Sequence, residues 1–182
     1  MVNGKAKGSG YERQICKHLS IWIQGTEKPY LFWRQPASGG LSTIDGRNSE
    51  NLSGDIRSIN TTSEWFCGIY SVEIKTGYPD ASLDKFLKYN KSDPLRAFWV
   101  QCIDDANLSE KRPLLIYKKK GMPTPWVGID ENVKKILAKE LKGLRFVMLH
   151  WAEDLPDTYL YEYKEFFDTI TPELMKKRFN IK

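Results

Sequence analysis

Three side chains in this sequence have the types and spacing for chemistry: Asp55 after Gly54, and Glu73 and Lys75 within Val72-Glu73-Ile74-Lys75. Side chains alternate along a β-strand, so Glu73 and Lys75 share one face while Val72 and Ile74 share the other. If a strand beginning at Asp55 pairs alongside, two carboxylates and an ammonium meet. Hard carboxylate oxygens suit Mg²⁺, which keeps several waters and takes few protein ligands. Such a cation polarises a phosphate and lowers the pKa of a water. Asp55 and Glu73 are the candidate ligands, with the backbone carbonyl of Ile74 as a third. Lys75 would orient the attacking water or offset the charge that builds on phosphorus. The chemistry this pattern predicts is phosphodiester hydrolysis. The plainer alternative makes Asp55 a turn residue and Glu73 and Lys75 a solvated strand face.

The elements that must position these residues follow from periodicity. Ser9-Gly10-Tyr11-Glu12 has the form of a capping box, and Tyr11, Ile15, Leu19 and Ile23 then recur at helical spacing up to Gly25. The polar stretch Met1–Gly10 reads as a flexible lead-in. Tyr30–Arg34 reads as a short strand, followed by a small-residue loop over Pro36–Gly40 and a turn-prone segment over Thr43–Asn51. Ser53–Ile56 leads into a second strand, with a turn over Asn60–Ser63. Ile69–Thr76 is the clearest strand. Helices are predicted over Ser82–Tyr89 and Leu95–Leu108, strands over Pro113–Tyr117 and Trp126–Ile129, a helix over Glu131–Leu141 and a strand over Leu144–Leu149. The tail from Asp157 to Phe179 reads as helical with a break at Thr171-Pro172. This order predicts one α/β domain over residues 1–182, with a central mixed β-sheet flanked by helices. Residues 1–8 would be its flexible start and residues 131–182 a C-terminal extension without an assigned role.

Composition sets outer bounds. The chain has 182 residues, 41% hydrophobic and 13% aromatic, which suits one globular domain rather than a disordered chain. No apolar run reaches the length of a membrane span, and no signal-peptide pattern opens the chain, so a cytoplasmic setting is expected. Cys16, Cys67 and Cys102 form no CxxC pair, which argues against a disulfide framework or structural zinc. The net charge of +5 suits a polyanionic partner. Lys118-Lys119-Lys120 and Lys176-Lys177-Arg178 are solvated faces or, at the rim of a cleft, phosphate ligands; Lys118 and Lys119 are the candidates for DNA binding. Trp65-Phe66, in an expected loop or hairpin, is the one candidate among the tryptophans for stacking on bases.

Gly54-Asp55 and Glu73-Ile74-Lys75 resemble the signature of the PD-(D/E)xK, or restriction-endonuclease-like, nuclease superfamily. Gly8-Ser9-Gly10-Tyr11-Glu12-Arg13 is similar to the opening of archaeal Holliday-junction resolvases and their phage relatives. Arg34-Gln35-Pro36-Ala37-Ser38-Gly39-Gly40 resembles the arginine-plus-serine loop of that group, and Trp99–Cys102 with Pro113–Ile116 resembles its downstream helix and strand. The likeness spans Gly8 to Ile129 and departs from the pattern at Gly54, where the signature has proline. It implies a restriction-endonuclease-like core and Mg²⁺-dependent cleavage of DNA, with Mn²⁺ able to substitute. It further implies that Glu12 reaches the metal site directly or through water, that Ser38 lies near the scissile phosphate, and that Arg34 and Gln101 contact DNA or position the site.

The first expectation is therefore an endodeoxyribonuclease acting on branched DNA, for which a homodimer is plausible. The rivals are a restriction or repair-type endonuclease acting on duplex DNA, and a nucleic-acid-binding module that has lost activity.

Overall fold

A computed structural model describes residues 4–35, 53–81, 83, 94–151 and 155–181. Ser38, the rest of the loop after Gln35, and the helix expected over Ser82–Tyr89, apart from Leu83, lie outside the described residues.

The chain opens with helix α1 (Gly4–Gln24). Ile15, Cys16 and Leu19 on its inner face are buried, as the helical spacing predicts. The helix begins before Ser9, so Ser9 and Glu12 lie within it and the expected lead-in is helical from Gly4. Two short strands, β1 (Phe32–Arg34) and β2 (Ile56–Ser58), form an antiparallel pair.

The turn expected at Asn60–Ser63 is instead the start of helix α2 (Thr61–Ile69). Asn60 caps it by accepting a hydrogen bond from the Thr62 N–H at 3.0 Å. Asn, Thr and Ser are turn formers and helix starters alike, and burial of Phe66 and Ile69 decides between them here. Trp65-Phe66 is thus helical. Phe66 is fully buried and Trp65, partly buried, packs against the core with the Lys176 ammonium 5.1 Å from its ring centroid.

Strand β3 (Tyr70–Thr76) follows directly, then α3 (Pro94–Leu108), β4 (Arg112–Lys118) and β5 (Trp126–Ile129). The helix expected over Glu131–Leu141 is broken at Leu137 into α4 (Glu131–Ile136) and α5 (Ala138–Leu141). After β6 (Phe146–Leu149) the chain forms β7 (Thr158–Glu162), where the sequence suggested helix. Thr158, Tyr159, Leu160 and Tyr161 are all buried between neighbouring strands, a setting that suits aromatic and β-branched residues. Helices α6 (Tyr163–Thr169) and α7 (Pro172–Arg178) end the fold, the latter capped by Thr171.

The main sheet has the order β3-β4-β5-β7-β6. β3 and β4 are parallel and the other neighbours antiparallel, so the sheet is mixed as expected. One core lies on the face of Val72, Ile74, Leu114 and Ile116, against α1, α2 and α6. A second lies on the opposite face, where Leu95, Phe98, Trp99 and Cys102 of α3 cover Leu115, Tyr117 and Leu160. Full burial of a side chain such as Leu114 or Phe66 contributes roughly 1.5–3 kcal/mol. The C-terminal region supplies two of the five strands and part of the first core, so it belongs to the sheet itself.

Candidate active site

Asp55 is placed by the backbone on either side of it. Gly54 takes φ +81° and brings the chain so close to β3 that a Cβ there would lie 2.9 Å from both the N and the O of Val72. The Asp55 N–H donates to the Val72 carbonyl at 2.7 Å, and its Oδ2 accepts from the Ile74 N–H at 2.7 Å. Proline cannot reach this conformation because its ring fixes φ near −65°, which explains why glycine stands here in place of the signature proline.

Glu73 points away from Val72 and Ile74, as the alternation predicts, toward α3. It is 1% exposed. The Lys75 ammonium pairs with its Oε1, while its Oε2 has no hydrogen-bond partner. Burial first, and the nearby Asp55 charge second, push the Glu73 carboxyl up to about 8 against the opposing pull of Lys75. Burial also acts to lower the Lys75 ammonium, but the Glu73 charge and its hydrogen bond outweigh that and hold it above its ordinary value.

Lys75 is held from a second side. Its Nζ donates to Gln101 Oε1 at 2.9 Å and lies 5.8 Å from the Phe98 ring centroid. Phe98, Gln101, Cys102 and Asp105 are spaced i, i+3, i+4, i+7, one stripe of α3 facing the site. Asp105 was not singled out by sequence. Its carboxyl is raised by burial and then by Asp55, with Lys75 opposing. The signal that could have found it was its place one turn beyond Gln101.

From the other side, Glu12 of α1 pairs with Arg34 at the end of β1, 3.6 Å apart. Burial, then the Asp55 charge, raise Glu12, while Arg34 opposes. Arg34 is thereby engaged with a carboxylate inside the protein. Lys118 lies on the rung opposite Thr76 at the end of β4, and Lys119 follows it, so both stand at the same end of the sheet as Lys75. The structure thus gathers Glu12, Arg34, Asp55, Glu73, Lys75 and Gln101 around one place. Cys16, Cys67 and Cys102 are free thiols, and no helix among the described residues is long and apolar enough to cross a membrane.

The donor set fits a hard divalent cation. The Asp55 charge is close enough to raise the proton affinity of Glu73, which is buried with one carboxylate oxygen that lacks any donor. Among the described residues no three His, Cys, Asp or Glu side chains converge as a complete metal site. A cation here would therefore rely on Asp55, Glu73, backbone oxygen and water, the mixture Mg²⁺ accepts.

A mixed sheet flanked by helices, with an aspartate before one strand and a Glu-x-Lys pair on the next, defines a PD-(D/E)xK nuclease core. The chain belongs to the family described as phage putative PDDEXK endonuclease, whose family model matches residues 3–177. That match extends well beyond Gly8–Ile129 and takes in the C-terminal strands. No curated protein and no solved structure matches the chain.

Proposed function

We propose that the protein is a divalent-metal-dependent endodeoxyribonuclease that hydrolyses phosphodiester bonds of branched DNA in the cytoplasm of a phage-infected cell. The observation that carries the metal-dependent part is the Glu73 carboxylate, buried beside Asp55 with Lys75 as its paired cation. A buried carboxylate pair in this state calls for further positive charge.

Asp55, Glu73 and the Ile74 carbonyl are the residues that would hold the cation, Mg²⁺ or Mn²⁺. The bound cation supplies Lewis-acid polarisation of the phosphate and a water of lowered pKa. Lys75, fixed by Glu73 and Gln101, places its ammonium where negative charge grows in the transition state. Glu12, paired with Arg34, adds a carboxylate at the edge of the site. Arg34, Ser38, Lys118 and Lys119 bind the DNA backbone. Gln101 acts on DNA through Lys75, which it anchors. The branched substrate, and a homodimer that would place two nicks symmetrically, rest on the resemblance of Gly8–Arg13 and Arg34–Gly40 to junction resolvases.

The test is cleavage of four-way junction, flap and linear duplex DNA with Mg²⁺, Mn²⁺ or EDTA, by wild type and Glu73→Ala. Metal-dependent cutting by wild type, with preference for the junction, is expected. Glu73→Ala should bind DNA in Ca²⁺ and fail to cut it. Equal behaviour of the two proteins in both assays would return the protein to a binding role.

A further inference from the structure

Gln35 follows β1 and is 5% exposed, yet neither its Oε1 nor its Nε2 finds a hydrogen-bond partner. Buried amides in native proteins are almost always paired, and an exception calls for a physical reason such as a bound ion or water. The position of Gln35 suggests the reason. The β1–β2 register ends at Arg34 opposite Ile56, and the Gln35 N–H donates to the Asp55 carbonyl at 2.7 Å, which adds one more rung. Residues opposite each other on an antiparallel ladder direct their side chains to the same face, with Cβ atoms about 5 Å apart. The Gln35 and Asp55 side chains therefore leave the ladder on the same face. Ser53 Oγ, two positions before Asp55, is likewise buried without a hydrogen-bond partner, and Glu73, whose Oε1 pairs with Lys75, leaves its Oε2 without one.

A hard cation that keeps part of its hydration shell needs acceptors for the protons of those waters, and the groups that supply them orient the shell. We propose that Gln35 is a positioning residue whose amide oxygen accepts a hydrogen bond from a water in the hydration shell of a divalent cation held at Asp55 and Glu73. The assignment rests on the metal-dependent nuclease reading above. It differs from a structural role, because a structural amide would already have its partners in the folded protein.

The experiment compares wild type, Gln35→Leu and Gln35→Glu. Metal-free melting is followed first, then Mg²⁺ and Ca²⁺ affinity by calorimetry, then cleavage as a function of Mg²⁺. Gln35→Leu should melt at or above wild type, since it removes an unpaired buried amide, while its cation affinity falls ~10-fold or more. Gln35→Glu, which keeps an acceptor oxygen, should recover most of that affinity. Unchanged cation affinity in Gln35→Leu overturns the assignment, including the case where only KM for DNA rises. Loss of melting temperature and cation affinity together, with no rescue by Gln35→Glu, marks a structural residue and also overturns it. A wild type that binds no divalent cation and cuts nothing would sink the nuclease reading itself, a result distinct from all of these.

Discussion

At Glu73 two demands meet. The carboxylate must be buried to sit beside Asp55 and under α3, and burial disfavours its charge. Burial pushes its carboxyl from the ordinary 4.5 up to about 8 against the pull of Lys75, so between these values the folded, metal-free protein is expected to bind a proton that the unfolded chain releases. Stability without metal should therefore be greatest near and below pH 4.5 as far as this group is concerned, and fall as pH rises toward 8, by on the order of a few kcal/mol. Glu73→Gln should flatten that slope in urea melts between pH 5 and 8 and raise the melting temperature at pH 8, while abolishing cleavage. A wild-type slope of opposite sign, or an unchanged slope in Glu73→Gln, would refute this. Lys75 and Gln101 give a graded pair. Lys75→Met should lower kcat by about 10²–10³. Gln101→Leu should have a smaller effect, also on kcat, because it loosens the ammonium without removing it; a change confined to KM would make Gln101 a DNA contact instead.

At the level of elements, the bend at Gly54 is what brings Asp55, ahead of β2, against β3. Gly54→Ala would need a left-handed backbone and a Cβ inside the contact distance of Val72, so a loss of roughly 1–3 kcal/mol is expected, with cleavage impaired as Asp55 shifts. Gly54→Pro should fold poorly despite restoring the family signature, which thermal melts will show. That Glu73 and Lys75 share a face was legible in the sequence because alternation along a strand fixes it. The expected pairing of the Asp55 strand beside β3 is replaced by pairing with β1, and Asp55 meets β3 through its own backbone and carboxylate. Strand β3 and the helix with Gln101 were legible for the same reason: their periodicity is strong over several residues. Helix α2 was not, since Asn60-Thr61-Thr62-Ser63 starts a turn or a helix equally well and the choice lies in distant packing of Phe66. Nor was the Glu12–Arg34 pair, because the ladder that sets Arg34 opposite Ile56 and the approach of α1 are both tertiary. The capping box at Ser9 was misleading, as the same residues are compatible with a helix interior.

Over the whole molecule, the C-terminal region was the least legible, and strand β7 explains why. Its residues are buried by strands on both sides, so Thr158–Tyr161 shows no polar face from which to read a period. Tyr159 and Tyr161 join the first core and Leu160 the second, so β7 ties the two faces of the sheet together. A chain ending at residue 156 should lack a cooperative melting transition and should not cut DNA, although it retains Asp55, Glu73 and Lys75. A cooperative melt in that truncation would show that β3–β5 fold without it.

Strand β7 is made after β6 yet lies between β6 and β5. As the chain leaves the ribosome, β5 has an open edge and β6 has no strand to join until Thr158–Glu162 has emerged. Asp55, Glu73 and Lys75 are synthesised before the strand that fills the gap between β5 and β6. Translation order thus sets completion of the main sheet after its candidate site residues have been made.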